Sequence, residues 1–379
     1  MYPNSANSMF VASIDANNEL KTDPNILLNK PLAPDIQKLA EYLSGVNERG
    51  WYTNFGYLHD LLTERLSKYL GVKNLLLVNN GTTALQVAAK VLNCKSAWTT
   101  PYSFAATSSA LSWQGIPLHY SDIEPDTLSP NVSLIEEQLD KNPNINMLLP
   151  AHIYGSPCDI HAIEAIAKRR GVKVLYDAAQ CFGVTYKGQS ILKFGDASII
   201  SFHATKIFHT VEGGAICFKN EEDYVLAKQM INFGFKGEKL GQSGINGKLN
   251  EYQAAVGLTL LDDMNEVVEH RTRLFQIYRK NLAGHVSMQK WLPEMSFNGG
   301  YMPIILPSAF HCKKMTKELK CKNIQSRTYF KEALHRIYGN GELCPEVDKI
   351  VPRVLTLPLH RYLSEVDINK ICETIIKNV

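Results

Sequence analysis

Several things are missing from this chain. It has no C-x-x-C pair, no long block of like charge and no apolar run approaching the length of a membrane span. The eight cysteines are scattered, and several sit inside apolar runs. That pattern argues against a disulfide frame or a zinc site and predicts buried thiols in a reducing compartment. Only 20% of the residues are charged and the formal net charge is +3, too balanced to suggest a nucleic-acid partner. The first twenty residues, MYPNSANSMFVASIDANNEL, show no basic segment followed by an apolar stretch, so they do not read as a secretion signal. The expectation is a cytoplasmic protein with neither membrane nor nucleic acid as a partner. Residues 1–24, rich in Asn, Ser and Asp, read as an N-terminal arm.

What remains is ordinary globular composition, 45% hydrophobic over 379 residues, enough for two domains. Seven short apolar runs (75–78, 97–100, 117–121, 147–150, 172–176, 197–202 and 214–218) alternate with helical patterns at 82–92, 104–113, 132–141 and 159–170. Alternation of this kind predicts an α/β fold around a mostly parallel sheet covered on both faces. The last two runs are joined by too few residues for a helix, which predicts one antiparallel or irregular strand. Helical patterns follow at 221–233 and 250–280, the second read as a long connecting helix broken near Gly257. After Gly284 the chain mixes short strands and helices. The expected organisation is a large domain over 25–265 and a smaller α+β domain over 266–379.

Ligands of open α/β sheets gather at the carboxyl ends of the strands. Four such ends carry usable chemistry. In NNGTTAL (79–85) a glycine turn and two threonines open a helix, an anchor for an anion or simply an N-cap. In PYSFAAT (101–107) Phe104 is a stacker for a flat ligand or a core aromatic. In VLYDAAQCFG (174–183) a buried strand delivers Asp177, a carboxylate that needs a positive partner. In SFHATKIFHTVEGGA (201–215) Lys206 is either a solvated surface charge or a nucleophilic amine. His203 and His209 lack metal-ligand spacing, so no metal is expected. Together the four supply a phosphate cradle, a ring stacker, a carboxylate and a lysine, the parts a pyridoxal phosphate site needs.

With these motifs in this order, and with TNFGYLHDLLTERLSKYLGV (53–72), HIYGSPCDIHAIEAIAKRRG (152–171), GINGKLNEYQAAVGLTLLD (244–262) and LPLH (357–360) between and after them, the chain resembles the DegT/StrS family of sugar aminotransferases. The resemblance spans about residues 30–375. It implies an aspartate-aminotransferase-like, fold type I architecture with a seven-stranded sheet, and pyridoxal 5'-phosphate as cofactor. It implies that Lys206 holds the cofactor and moves the proton, Asp177 pairs with the ring nitrogen, and Gln180 lies near the ring oxygen. It implies further that Phe104 stacks on the ring, while Thr82, Thr83 and Ser201 hold the phosphate. It also implies that Asn246 reaches the phosphate of a neighbouring subunit, so that the active enzyme is a homodimer. The family's aromatic and arginine after that asparagine are here Gly247 and Lys248, so either Asn246 or Lys248 could make the contact. A family branch that dehydrates the sugar has histidine in place of the lysine; lysine here favours transamination. The segment around Lys206 is similar to that of enzymes forming dTDP-4-amino-4,6-dideoxyglucose from L-glutamate and the 4-keto sugar, for O-antigen or related glycans. Alternatives are a 3-aminotransferase or a UDP-sugar enzyme of the same family, and further off a non-catalytic sugar-binding regulator. Lys30, Arg49, Lys248 and Arg327 are candidate contacts for the substrate's phosphates. Tyr329 and His360 are candidates for the sugar pocket, and His209 with Thr210 for substrate discrimination.

Overall fold

The computed structural model describes residues 26–379; the proposed arm, 1–24, lies outside them. Strands β1 (Leu75–Val78), β2 (Ala97–Thr99), β3 (Leu118–Tyr120), β4 (Met147–Leu149), β5 (Lys173–Asp177), β6 (Ala197–Ser201) and β7 (Gly214–Phe218) form one sheet in the spatial order β1-β7-β6-β5-β4-β2-β3. The pairs β3/β2, β2/β4, β4/β5 and β5/β6 are parallel, whereas β7 runs antiparallel to both neighbours. That is the antiparallel strand expected from the short 203–213 connection.

Side chains alternate across the strands, and each face therefore has its own core. Leu75, Leu77, Val174, Tyr176 and Ile200 belong to one apolar cluster, and Leu76, Val78, Leu175 and Ile199 to the other. Helices α1 (Ile36–Arg49), α2 (Tyr57–Leu70), α3 (Gly81–Val91), α4 (Ala105–Ser112), α5 (Ile135–Lys141), α6 (Ile160–Arg170), α7 (Glu221–Met230) and α8 (Glu251–Leu261) belong to this part of the chain. Every cysteine is free and all but Cys321 are buried, in line with the composition.

The expected break at Gly257 is a correction. Gly257 lies inside α8, where a Cβ would come within 2.9 Å of both Leu62 and Thr210. The glycine permits close packing and does not interrupt the helix. The break falls after Leu261, before α9 (Met264–Leu282). There the Asp262 carboxylate turns out to meet Lys38 at 3.1 Å and Arg65 at 2.6 Å.

Beyond α9 a three-stranded antiparallel sheet forms from β8 (Ser287–Met288), β9 (Met302–Ile305) and β10 (Val354–Leu357). It shares a third core with α9, α10 (Ala309–Cys321) and, beyond α11 (His335–Tyr338) and α12 (Pro345–Ile350), with α13 (Glu365–Ile376). Phe330, Leu334, Val347 and Val351 instead pack against the large sheet's second cluster, which brings part of this C-terminal segment over the carboxyl end of the sheet.

Helix α2 begins with no cap of its own; the remote Glu251 serves instead. Its fully buried carboxylate accepts from the Leu58 N–H (2.9 Å) and the His59 N–H (2.8 Å), and it lies where the helix dipole favours negative charge. Replacing Glu251 with Ala strands both donors. It is expected to cost about 3 kcal/mol of unfolding free energy, to be read from urea denaturation followed by circular dichroism. A loss within experimental error would refute the capping role.

Candidate active site

The carboxyl ends of β1, β2, β4, β5 and β6 open onto one cavity of about 300 Å³. Its lining includes Thr82, Phe104, Asp177, Gln180, Ser201, Lys206 and Tyr329 from the expected set. The parallel strands place these residues, far apart in sequence, along a single edge.

Helix α3 points its N-terminus into this cavity. The Asn80 side chain caps it by accepting from the Thr83 N–H at 2.8 Å, leaving the first-turn N–H groups of Gly81 and Thr82 for an anion. Two glycines make the close approach possible. A Cβ on Gly81 would lie 3.1 Å from the Ser201 Cβ, and one on Gly214 would lie 2.9 Å from the Asn80 carbonyl carbon. Thr82 and Ser201 thus flank the helix end. Thr83 does not join them: it is buried, and its methyl faces Gly247.

Asp177 ends β5 almost completely buried. It accepts from the Thr107 hydroxyl (2.7 Å) and the Ala179 N–H (3.1 Å), and Thr107 is paired in turn with the Ser103 hydroxyl at 2.7 Å. Burial raises its pKa above the ordinary carboxylate value, opposed by these two donors and by the positive charge of Lys206. The site is therefore short of positive charge at this carboxylate, and a protonated pyridine nitrogen would provide it. Gln180 is fixed beside Asp177 by accepting from the Tyr154 N–H through Oε1. Phe104 precedes α4 with 59% of its surface exposed, a free aromatic face over the cavity.

Lys206 sits on the 203–213 loop, held from below by Ile207 and Phe208, both buried. Phe208 stacks on Phe182 at 4.8 Å and meets Phe202 edge-on at 5.0 Å. The loop turns back through Val211 at φ 66°, a conformation costly for a β-branched residue. The Lys206 amine donates to the Tyr301 hydroxyl at 3.2 Å.

Other expected residues lie outside the cavity lining, each for a physical reason. Lys248 is buried, donates to Asn232 Oδ1 at 2.9 Å and lies over the Phe233 ring; burial lowers its pKa. Asn246 pairs with Asn232 through the backbone, and its carbonyl accepts from Asn79 at 3.3 Å. Arg327 lies over the Tyr329 ring and donates to its hydroxyl at 3.2 Å. His360 is buried, with Nδ1 accepting from the Tyr362 N–H at 3.3 Å, and burial first of all brings its pKa down to about 4. Lys30 covers the Tyr362 ring and Arg49 the Tyr57 ring. His209 with Thr210, expected to discriminate substrates, lies outside the cavity lining. His209 is the structural one, with Nε2 donating to the Leu32 carbonyl (2.9 Å) and Nδ1 accepting from the Val211 N–H (3.2 Å). Thr210 is fully buried, and it is His203 that lines the cavity.

Three contributors were not foreseen: Tyr301, the Ser103–Thr107 pair, and His152. His152 lines the cavity stacked on Tyr176 at 4.8 Å, and burial depresses its pKa to about 3. Its Nδ1 accepts from the Cys158 N–H at 3.2 Å, so the ring is neutral with its proton on Nε2. Its presence in HIYG was the available signal.

The raised pKa of Asp177 has a consequence for the cofactor-free protein. A carboxyl whose folded pKa lies above its unfolded value stabilises the fold fully below the unfolded pKa, and that stability is lost as pH rises through the folded pKa. Asp177→Asn removes the penalty. The cofactor-free variant should therefore melt above the parent at pH 7, with the difference shrinking as pH falls towards 3.8. Calorimetry across that range checks this; a variant that melts lower at pH 7 would contradict it.

The surroundings fit the cofactor that the sequence motifs imply: an anion cradle, a stacking face, a buried carboxylate in need of a cation, and a lysine. The DegT/DnrJ/EryC1/StrS aminotransferase family profile matches residues 35–376. A dTDP-4-amino-4,6-dideoxy-D-glucose transaminase of Shigella dysenteriae is 36% identical over 361 residues, covering 92% of this chain and 98% of that protein. A transaminase of the same name from Escherichia coli is 32% identical over 93% of this chain and 99% of its own length. The crystal structure of DesI with its TDP-sugar product superposes with a TM-score of 0.87 at 28% identity, over 94% of this chain and 93% of that one. The chain belongs to the DegT/DnrJ/EryC1/StrS aminotransferase family, whose members are pyridoxal phosphate-dependent sugar aminotransferases.

Proposed function

We propose that this enzyme moves the amino group of L-glutamate to the 4-keto carbon of dTDP-4-keto-6-deoxyglucose, in the cytoplasm, for O-antigen or another glycan. The observation that carries this is the near full-length likeness to two transaminases named for the 4-amino product, in a chain that keeps Lys206 and Asp177 at one cavity.

When bound, the cofactor supplies an electron-withdrawing ring that carries nitrogen between the two substrates. The protein's residues do the rest. Asp177 would accept from the ring nitrogen and favour its protonated form. The N–H groups opening α3, with Thr82 and Ser201, would hold the phosphate. Phe104 would offer the ring a stacking face, and Gln180 would face its oxygen. Lys206 Nζ would move the proton between the nitrogen-bearing carbon and the acceptor carbon. Two half-reactions at one site give ping-pong kinetics.

A nucleotide sugar brings two phosphates, yet among the described residues that line the cavity Lys206 is the sole Lys or Arg. That shortage of phosphate donors is consistent with a homodimer in which Asn246 of a second copy, exposed in this chain, reaches the site; Lys248 would first have to leave Asn232. Tyr329, already at the cavity wall, is assigned to the sugar. Its carbonyl receives the Tyr102 hydroxyl at 2.8 Å and also the Tyr154 hydroxyl, which fixes its backbone.

Purified enzyme given pyridoxal phosphate, L-glutamate and dTDP-4-keto-6-deoxyglucose should yield the aminated sugar nucleotide by mass spectrometry, with 2-oxoglutarate in equal amount. Absence of product with this sugar, but turnover of a 3-keto or UDP-linked one, would overturn the substrate assignment. Lys206→Ala should abolish product formation while the protein keeps its circular dichroism spectrum; retained turnover would remove Lys206 from its role.

A further inference from the structure

Tyr301 immediately precedes β9, and its position depends on the three residues before it, Asn298-Gly299-Gly300. Fully buried Asn298 donates to the carbonyls of Gln180 (3.0 Å) and Phe182 (3.1 Å), and its Oδ1 accepts from the Gly300 N–H at 2.9 Å. From the other side Arg271, on α9, donates through Nε to the Gly299 carbonyl (2.8 Å) and through Nη2 to the Gly300 carbonyl (3.1 Å). Gly299 lies at φ 62°, and a Cβ there would come within 2.5 Å of the Arg271 backbone. The turn is pressed flat against α9 between two sets of hydrogen bonds.

Arg271 is only 4% exposed, and among the described residues no carboxylate pairs with it. A guanidinium does not give up its proton at physiological pH, and a buried cation is costly without compensation. Here the compensation is spent on two carbonyls directly before Tyr301. The Tyr301 hydroxyl stands 3.2 Å from the Lys206 amine, which is itself 5.7 Å from the centre of that ring.

We propose that Tyr301 is the resting partner of the free Lys206 amine, and that Arg271 is a positioning residue acting through it. Arg271 fixes the Gly299–Gly300 turn so that, each time the amine is released, the Tyr301 hydroxyl accepts its hydrogen bond and returns it to one place in the cavity. This rests on the reading of Lys206 as the reactive amine.

The test uses cofactor-free full-length protein, isotopically labelled formaldehyde and cyanoborohydride at fixed pH. The methylation rate at Lys206 is read by peptide mass spectrometry against exposed Lys317. Tyr301→Phe should raise the relative rate at Lys206 at least about threefold, the effect of losing one modest hydrogen bond. Arg271→Lys should shift it in the same direction, yet add nothing in the Tyr301→Phe background. If Arg271→Lys does not fold, Gly300→Ala, whose Cβ would press on Asn298 Oδ1 at 3.0 Å, takes its place. Reconstituted Tyr301→Phe enzyme should lose about tenfold in kcat with KM for both substrates within about twofold. An unchanged labelling rate in Tyr301→Phe, equal effects of the second substitution in both backgrounds, or a change confined to KM would overturn the proposal. The labelling needs no sugar nucleotide, so a wrong substrate assignment would leave its outcome intact.

Discussion

A carboxylate at the end of a buried strand, with no cation among the described residues beyond a lysine across the cavity, is the constraint on which the rest of the site depends. Asp177 is held by one hydroxyl and one backbone N–H, and burial still disfavours its charge. A fold that kept such a group for stability alone would be poorly served, because an aspartate in that place costs more than an isosteric amide. Its presence makes sense when a protonated ring nitrogen occupies the space in front of it. The cradle at α3, the open face of Phe104 and the Lys206 amine then mark out the other edges of one planar, phosphorylated ligand.

The architecture explains how these groups meet. Parallel strands bring all their carboxyl ends to one side, so the cavity gathers residues that follow five strands, joined by Tyr301, Tyr329 and Phe330 from the C-terminal segment. The one antiparallel strand, β7, lets the Lys206 loop return at once, and its first residue, Gly214, gives α3 room to approach. Buried polar clamps set the finer geometry: Asn298 and Arg271 on the 298–300 turn, Tyr102 and Tyr154 on the Tyr329 carbonyl.

Much of this was legible in the sequence, and the division is physical. Strand ends are local patterns, so Asp177, Lys206, Thr82 and Phe104 could be found from apolar runs and the residues that terminate them. The alternation of runs and helices gave the sheet, including its one reversed strand. Contacts between distant segments left no such trace. Tyr301 looks like any residue opening a strand until Arg271 and Asn298 are seen to hold its turn. His203 and His209 share one segment, and sequence says nothing about which side of a loop a ring faces. Polar residues chosen by type alone show the same gap: Lys248 and Arg327, read as anion contacts, and His360, read for the sugar pocket, are engaged by Asn232, Tyr329 and the Tyr362 N–H. Gly257 was read as a helix breaker when its missing side chain serves packing.

The account's central claim is that Lys206 is the residue that holds the cofactor opposite Asp177. The most direct measurement is reduction of the pyridoxal phosphate-loaded protein with borohydride, followed by digestion and peptide mass spectrometry. A single phosphopyridoxyl adduct is expected on the peptide carrying Lys206, and no adduct at that position in Lys206→Ala protein. An adduct on another lysine, with Lys206 unmodified, would contradict it.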